Sequence, residues 1–146
     1  MDRDPIEIAA RALRHRDRSR HEIEERLARA GVDDDARADT LETLERVGYV
    51  DDARFAAARA AALATRGYGD EWIRLDLERH GIASETVGEA VAALAPERER
   101  AALLAARLGR TAKTGARLAR KGFSADALEE ALGPGIAYDA GGELEL

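Results

Sequence analysis

Gly48-Tyr49-Val50-Asp51-Asp52-Ala53-Arg54-Phe55, followed by Arg66-Gly67-Tyr68-Gly69, sets the reading of the whole chain. Physically it is a joint, a helix and a second joint. Gly48 lacks a Cβ and can end one helix in the left-handed conformation at little cost. Asp51 and Asp52 can cap the next helix, because a carboxylate accepts from the unpaired amides of a first turn. Phe55 falls on that turn, and Ala58, Ala62 and Leu63 follow at helical spacing. Gly67-Tyr68-Gly69 then stops the helix and directs the chain into another.

Upstream, Asp4-Pro5 reads as a cap with proline in the first turn. Ile6, Ala9 or Ala10, and Leu13 define an apolar face running to about Arg16. Ser19-Arg20-His21-Glu22 has capping-box spacing. Its helix shows Ile23, Leu27 and Ala30 on one side and stops at Gly31. Asp33-Asp34-Asp35 favours the positive end of a third helix, with Ala36, Leu41, Leu44 and Val47 inward.

The pattern recurs. Setting Gly31 on Gly81 places Leu13 on Leu63, Arg16 on Arg66, Ile23 on Ile73, Leu27 on Leu77, Arg29 on Arg79 and Val32 on Ile82. Setting Gly31 on Gly122 places the same frame on Leu104, Arg107, Thr114, Leu118, Arg120 and Phe123, with Thr114 the one break. The fold class expected is all-α: three tandem three-helix repeats forming an elongated, curved rod. The repeats span residues 1–48, 49–95 and 96–133, with 134–146 as a flexible acidic tail. Units of this size are near the lower limit for burying enough apolar surface alone and gain stability from their neighbours.

The Gly-Tyr-Val-Asp-Asp-Ala-Arg-Phe-Ala segment from Gly48, with Gly67-Tyr68-Gly69 about a dozen residues beyond its end, resembles the central signature of RecX, the bacterial regulatory protein of the RecA recombinase. The resemblance runs from about Ile6 to Leu132 and is thinnest after Pro96. It implies a curved rod of three-helix repeats lying in the groove of the RecA filament on single-stranded DNA. It also implies inhibition of recombinase, ATPase and coprotease activities, and thus a role in DNA repair and the SOS response. After Gly69 this chain reads Asp70-Glu71-Trp72, where the family usually has proline and basic residues.

Composition sets further bounds. The 146 residues are 36% charged and 4% aromatic, so the core must be Leu, Ile, Val and Ala. The absence of cysteine excludes disulfides, thiolate metal sites and cysteine nucleophiles. No apolar run approaches the ~20 residues of a membrane span, so a cytoplasmic location is expected; a monomer is expected as well. The net charge of −6 conceals segregation. Residues 107–121 hold Arg107, Arg110, Lys113, Arg117, Arg120 and Lys121 with no acid. Residues 11–20 hold five arginines against Asp17. Residues 126–146 hold Asp126, Glu129, Glu130, Asp139, Glu143 and Glu145 with no base.

The candidate partner-binding residues are therefore Arg16, Arg18, Arg20, Arg66, Tyr68, Arg107, Arg110, Lys113, Arg117, Arg120 and Lys121. Cations at helix C-termini also complement the macrodipole, which explains part of the pattern without a ligand. The cluster at 107–121 is different, because unrelieved self-repulsion favours an anionic partner: DNA, an acidic protein patch, or the chain's own tail. Tyr49, Tyr68, Trp72 and Phe123 sit near unit junctions and read as joint packing; Tyr68, flanked by glycines, is expected to lack local cover. His15, His21 and His80 show no metal-site spacing, and no catalytic constellation is present. The reading is a non-enzyme without cofactor or metal. Its rivals are a sequence-independent DNA-binding helical module and a helical protein-interaction scaffold.

Overall fold

The helices begin where the sequence supplies an oxygen to a free amide. In the computed structural model, which describes residues 3–139 and Leu144, nine helices are present among those residues. They are α1 (Pro5–Leu13), α2 (Arg20–Arg29), α3 (Asp34–Arg46), α4 (Asp52–Thr65), α5 (Asp70–Arg79), α6 (Ser84–Ala92), α7 (Glu97–Leu108), α8 (Ala112–Arg120) and α9 (Ala125–Leu132). Asp4, Ser19, Asp33, Asp51, Thr111 and Ser124 each cap a helix with a side-chain oxygen. Ser19 and Glu22 form the full reciprocal capping box. No strand occurs among the described residues.

The helices form three trios, and every substantial helix–helix contact lies within a trio. Each trio has its own core. The first is Ala9, Ala12, Ile23, Leu27, Leu41, Leu44 and Val50. The second is built on Phe55, Leu63, Ile73, Leu77, Ile82 and Val87, the third on Ala101, Ala105, Leu118, Phe123, Leu128 and Leu132. The repeat frame is a packing frame: Leu27, Leu77 and Leu118 are all buried, and so are Ile23, Ile73 and Thr114. Separate cores strung in line leave much surface outside. The chain exposes 8979 Å², against about 7,300 Å² for a compact monomer of its mass.

The two joints between trios use the same contacts. At the first, Asp52, which opens α4, accepts a 2.8 Å hydrogen bond from the amide of Arg20, which opens α2. At the second, Glu97, which opens α7, accepts a 2.7 Å bond from the amide of Asp70, which opens α5. The carbonyl that ends the following second helix is covered as well. His80 O accepts from Ser19 Oγ at 2.7 Å, and Lys121 O accepts from Gly69 N at 2.7 Å. An arginine clasps each seam: Arg54 pairs with Asp17, and Arg100 bonds Asp70 Oδ1 and Tyr68 O. The second helices thus stack end to end, with the negative end of one facing the positive end of another.

Several sequence expectations change here. The buried face of α4 is Phe55, Ala56, Ala60 and Leu63, and Ala58 and Ala62 face solvent. In α1 the small Ala9 and Ala12 take the inner line, which turns Ile6 to the rim. Val47, expected inward, is 56% exposed as the cap residue of α3. Asp51 alone caps α4, because Asp52 is engaged across the joint. The segment after Gly133 is attached over its described part, since Ile136 and Tyr138 pack on the third core. Tyr138 lies against Gly115 of α8, where any Cβ would sit 2.7 Å from its ring. Glu143 and Glu145 lie outside the described residues.

The second joint leaves no room for a side chain. A Cβ on Gly69 would stand 2.4 Å from the backbone of Gly122 and Phe123. Gly122, at φ +94°, presses in turn on Trp72. Gly69→Ala is therefore expected to lower stability by about 1–3 kcal/mol through forced separation of the units. Gly88→Ala, in an open helical position of α6, should raise it by about 0.5–1 kcal/mol. Urea-unfolding midpoints of the two variants should move in opposite directions.

Candidate anion-binding interface

Arg66 follows the last turn of α4 as its cap, and Arg107 lies in the last turn of α7. Arg117 lies in the last turn of α8, and Lys121 caps that helix. The second joint brings these three helix ends, and their four cations, together. They line a cleft of about 160 Å³ with Leu104, Leu108 and Leu118 among its other walls and no acidic residue. Leu104 approaches Gly67, which closes the cleft between the second and third trios. Arg66, Arg107 and Arg117 form no ion pair among the described residues. Among the described residues no carboxylate neutralises these converging charges, which raises the local potential toward anions.

The remaining cations of 107–121 extend this surface. Lys113, Arg117 and Lys121 stand four residues apart, about 6 Å along the α8 axis per step. Arg120 lies beside them, and Arg110 is held at one end by Ala131 O at 3.3 Å. Thr114, Gly115 and Leu118 form the buried side of α8, which leaves Lys113, Arg117 and Arg120 exposed.

Tyr68 is covered on both sides, contrary to the expectation from its flanking glycines. Its ring stacks on Trp72 with centroids 4.0 Å apart, and the Lys121 ammonium lies 4.4 Å from the ring centre. Arg66 stands 5.5 Å from the same ring. Tyr68 thus packs the joint and holds two of the cleft's cations by cation–π attraction.

The arginines near the N-terminus do not join this cleft. Arg16 pairs with Glu22 at 2.5 Å, Arg18 donates to Ala12 O and lies 3.7 Å from Glu22, and Arg20 pairs with Glu24 and Glu45. Burial, together with the charges of Arg16 and Arg26, lowers the Arg18 guanidinium below its ordinary value; Glu22 opposes this. Burial pushes the Glu22 carboxyl up, but hydrogen bonds from Arg16 and the Ser19 amide and the nearby charges of Arg16 and His80 outweigh it. The net shift of Glu22 is downward.

Sequence reasoning missed the seam residues. Asp17, Arg54, Asp70, Glu97 and Arg100 pair across 27 to 37 positions. Their one legible signal is that each lies at or beside a helix start. Sequence reasoning also missed an apolar groove of about 490 Å³ on the first trio, lined by Ile6, Ala10, Leu13, Leu44, Val47 and Tyr49. Tyr49 there is 66% exposed. A separate depression at the second joint carries Asp70, Glu71 and Glu97 beside Arg74, so that joint has an acidic flank as well as a cationic one.

Comparison with known proteins places this geometry. Residues 6–44 match the model of the first three-helix domain of RecX, and residues 51–91 match that of the second. The regulatory protein RecX of Stenotrophomonas maltophilia (strain R551-3) is 31% identical over 140 residues, covering 89% of this chain and 86% of that protein. RecX of Xanthomonas oryzae pv. oryzae (strain MAFF 311018) is 33% identical over 91 residues, 62% of this chain. The match spans 57% of that relative's length. The crystal structure of RecX from Lactobacillus salivarius superposes with a TM-score of 0.78 at 20% identity, covering 88% of this chain and 92% of the other. A second RecX crystal structure gives 0.71 at 22% identity over 86% of this chain and 71% of the other. At those identities the two structures establish the shared fold.

The Glu22 cluster at the first joint has a pH signature. A carboxyl whose folded value is depressed contributes stability above its unfolded value, near 4.3, and loses it as pH falls through the folded value. Glu22→Gln should therefore destabilise at neutral pH. Its deficit against the unmodified chain should shrink as pH drops below about 4. Thermal unfolding across pH 3–7 measures this, and a deficit independent of pH would contradict the assigned ionisation.

Proposed function

The chain belongs to the RecX family, and from that premise we propose that it binds the RecA nucleoprotein filament on single-stranded DNA and inhibits recombinase and coprotease activity. In this reading it is a regulator of DNA repair and of the SOS response, not a catalyst, and it acts as a cytoplasmic monomer. Among the described residues, no helix is long and apolar enough to cross a membrane.

The observation that carries the proposal is the distribution of unlike surfaces along a rod. The first trio offers the apolar groove at Val47 and Tyr49, and the second joint offers Arg66, Arg107 and Arg117, which form no ion pair among the described residues. A filament repeats its subunits along an axis, so a rod can engage it at several separated points. Each contact is weak alone. Held on one rigid chain, the second contact forms at high effective concentration, and total affinity exceeds that of either patch. The shared chemistry of the two joints fixes the spacing between those patches, which a flexible linker could not do.

Inhibition of single-stranded-DNA-dependent ATP hydrolysis by RecA is the measurement. Lys113→Glu with Arg120→Glu alters only exposed cations of α8, and Val47→Ser with Tyr49→Ala alters only the groove. Each pair should raise the concentration needed for half inhibition by about tenfold or more, a loss of roughly 1.4 kcal/mol of binding. All four changes together should abolish inhibition at accessible concentrations. Wild-type inhibition by the four-residue variant would overturn the proposal.

A further inference from the structure

We propose that Tyr138 and Leu144 form a releasable clasp on the second joint: Tyr138 anchors the chain beyond α9 to the third trio, and Leu144 fastens it to the second trio across the seam. The device is conformational. It does not depend on the filament reading, since both anchors and both seats lie within this chain.

The two seats share one side of α8. Gly115, near the start of the helix, offers a flat place where a Cβ would stand 2.7 Å from the Tyr138 ring and 2.8 Å from Leu132 Cδ1. Ala119 lies one turn further on the same side. With Gly122 and Phe123 it forms the third-trio wall of the depression that Leu144 lines. The facing wall belongs to the second trio and comes from Asp70, Glu71 and Arg74 of α5. Leu144 is partly buried there and packs on the second trio's core. A leucine on the chain that leaves the third trio is thus seated against the second.

The clasp acts against a repulsion. Arg117 and Lys121 are each two positions from Ala119, about 200° around the helix, so the cationic cleft lies on the side of α8 away from Leu144. In that cleft Arg66 of the second trio meets Arg107 and Arg117 of the third, and like charges facing across a joint act to part it. At the seam Gly69 N donates to Lys121 O at 2.7 Å and Glu71 N to Gly122 O at 3.3 Å. Those groups belong to the repeats, and they cannot move far without disturbing helix ends. Leu144 lies outside every helix, so it can leave its seat while the three trios stay folded. Seated, it holds the joint closed and the cations of the two units convergent. Released, it lets the joint open more often.

Amide hydrogen exchange of the full chain, followed by NMR with neither recombinase nor nucleic acid present, reads that opening directly. The amides of Gly69, Asp70 and Glu71 donate across the second joint, and the amide of Arg20 donates across the first. In Leu144→Ser, exchange at Gly69, Asp70 and Glu71 should quicken about tenfold or more, through loss of the apolar contact. Arg20, in a unit distant from the change, should shift by less than about twofold. Leu144→Met keeps an apolar side chain of similar volume and should exchange as the unmodified chain does. Unchanged second-joint amides in Leu144→Ser would overturn the proposal. So would equal acceleration at Arg20, which marks a loss of global stability, or the same acceleration in Leu144→Met. The filament reading is scored on RecA activity and stands or falls separately.

Discussion

A carboxylate at the start of one unit, accepting the first free amide of the preceding unit's second helix, holds this molecule in register. Asp52 does this for Arg20, and Glu97 does it for Asp70. A helix start is a cluster of unsatisfied donors carrying partial positive charge. Serving it from the neighbouring unit converts a local capping need into an inter-unit bond. The requirement is stronger at α5, whose cap position is Gly69 and has no side chain to offer. Remove that carboxylate, and the α5 terminus loses a partner while the joint is left to Arg100 and the backbone contacts of Gly69 and Glu71.

The seam explains where polar groups are buried. Ser19 is fully buried because its hydroxyl serves the capping box and His80 O at once. Asp76 is 4% exposed and is neutralised by Arg59, which bonds both its oxygens. That hydrogen bond and charge raise the Arg59 guanidinium above its ordinary value, outweighing its partial burial. Stabilising contacts thus consume many of the chain's cations. Arg16, Arg18, Arg20, Arg54, Arg59 and Arg100 all serve the protein itself. The cations of the cleft at the second joint stand apart, because no acid is among the described residues that line it.

The third trio shows how the repeat tolerates a weak copy. Its first helix buries only Ala101 and Ala105, and Thr114 stands where the other units place isoleucine. Thr114 and Gly115 leave a shallow place on α8, and the chain beyond Gly133 fills it with Tyr138 while Ile136 packs on the same core. The missing volume is supplied from outside the repeat. Ile136 and Tyr138, read as tail residues, are therefore part of the third unit's packing.

Helix positions, stops and most caps were legible in the sequence, because they depend on contacts within three or four residues. The Gly31, Gly81 and Gly122 frame also disclosed three copies, since Leu27, Leu77 and Leu118 must each fill a core. Charge segregation pointed to residues 107–121 without geometry. Tertiary structure alone decided which cations meet. Arg66 and Arg107 are 41 positions apart and converge because Gly69 and Gly122 let two backbones touch. It also decided that Arg16, their repeat equivalent, pairs with Glu22 instead. Local pattern fixes a helix and its ends, but convergence across a joint depends on packing between units, and no short window of sequence contains it.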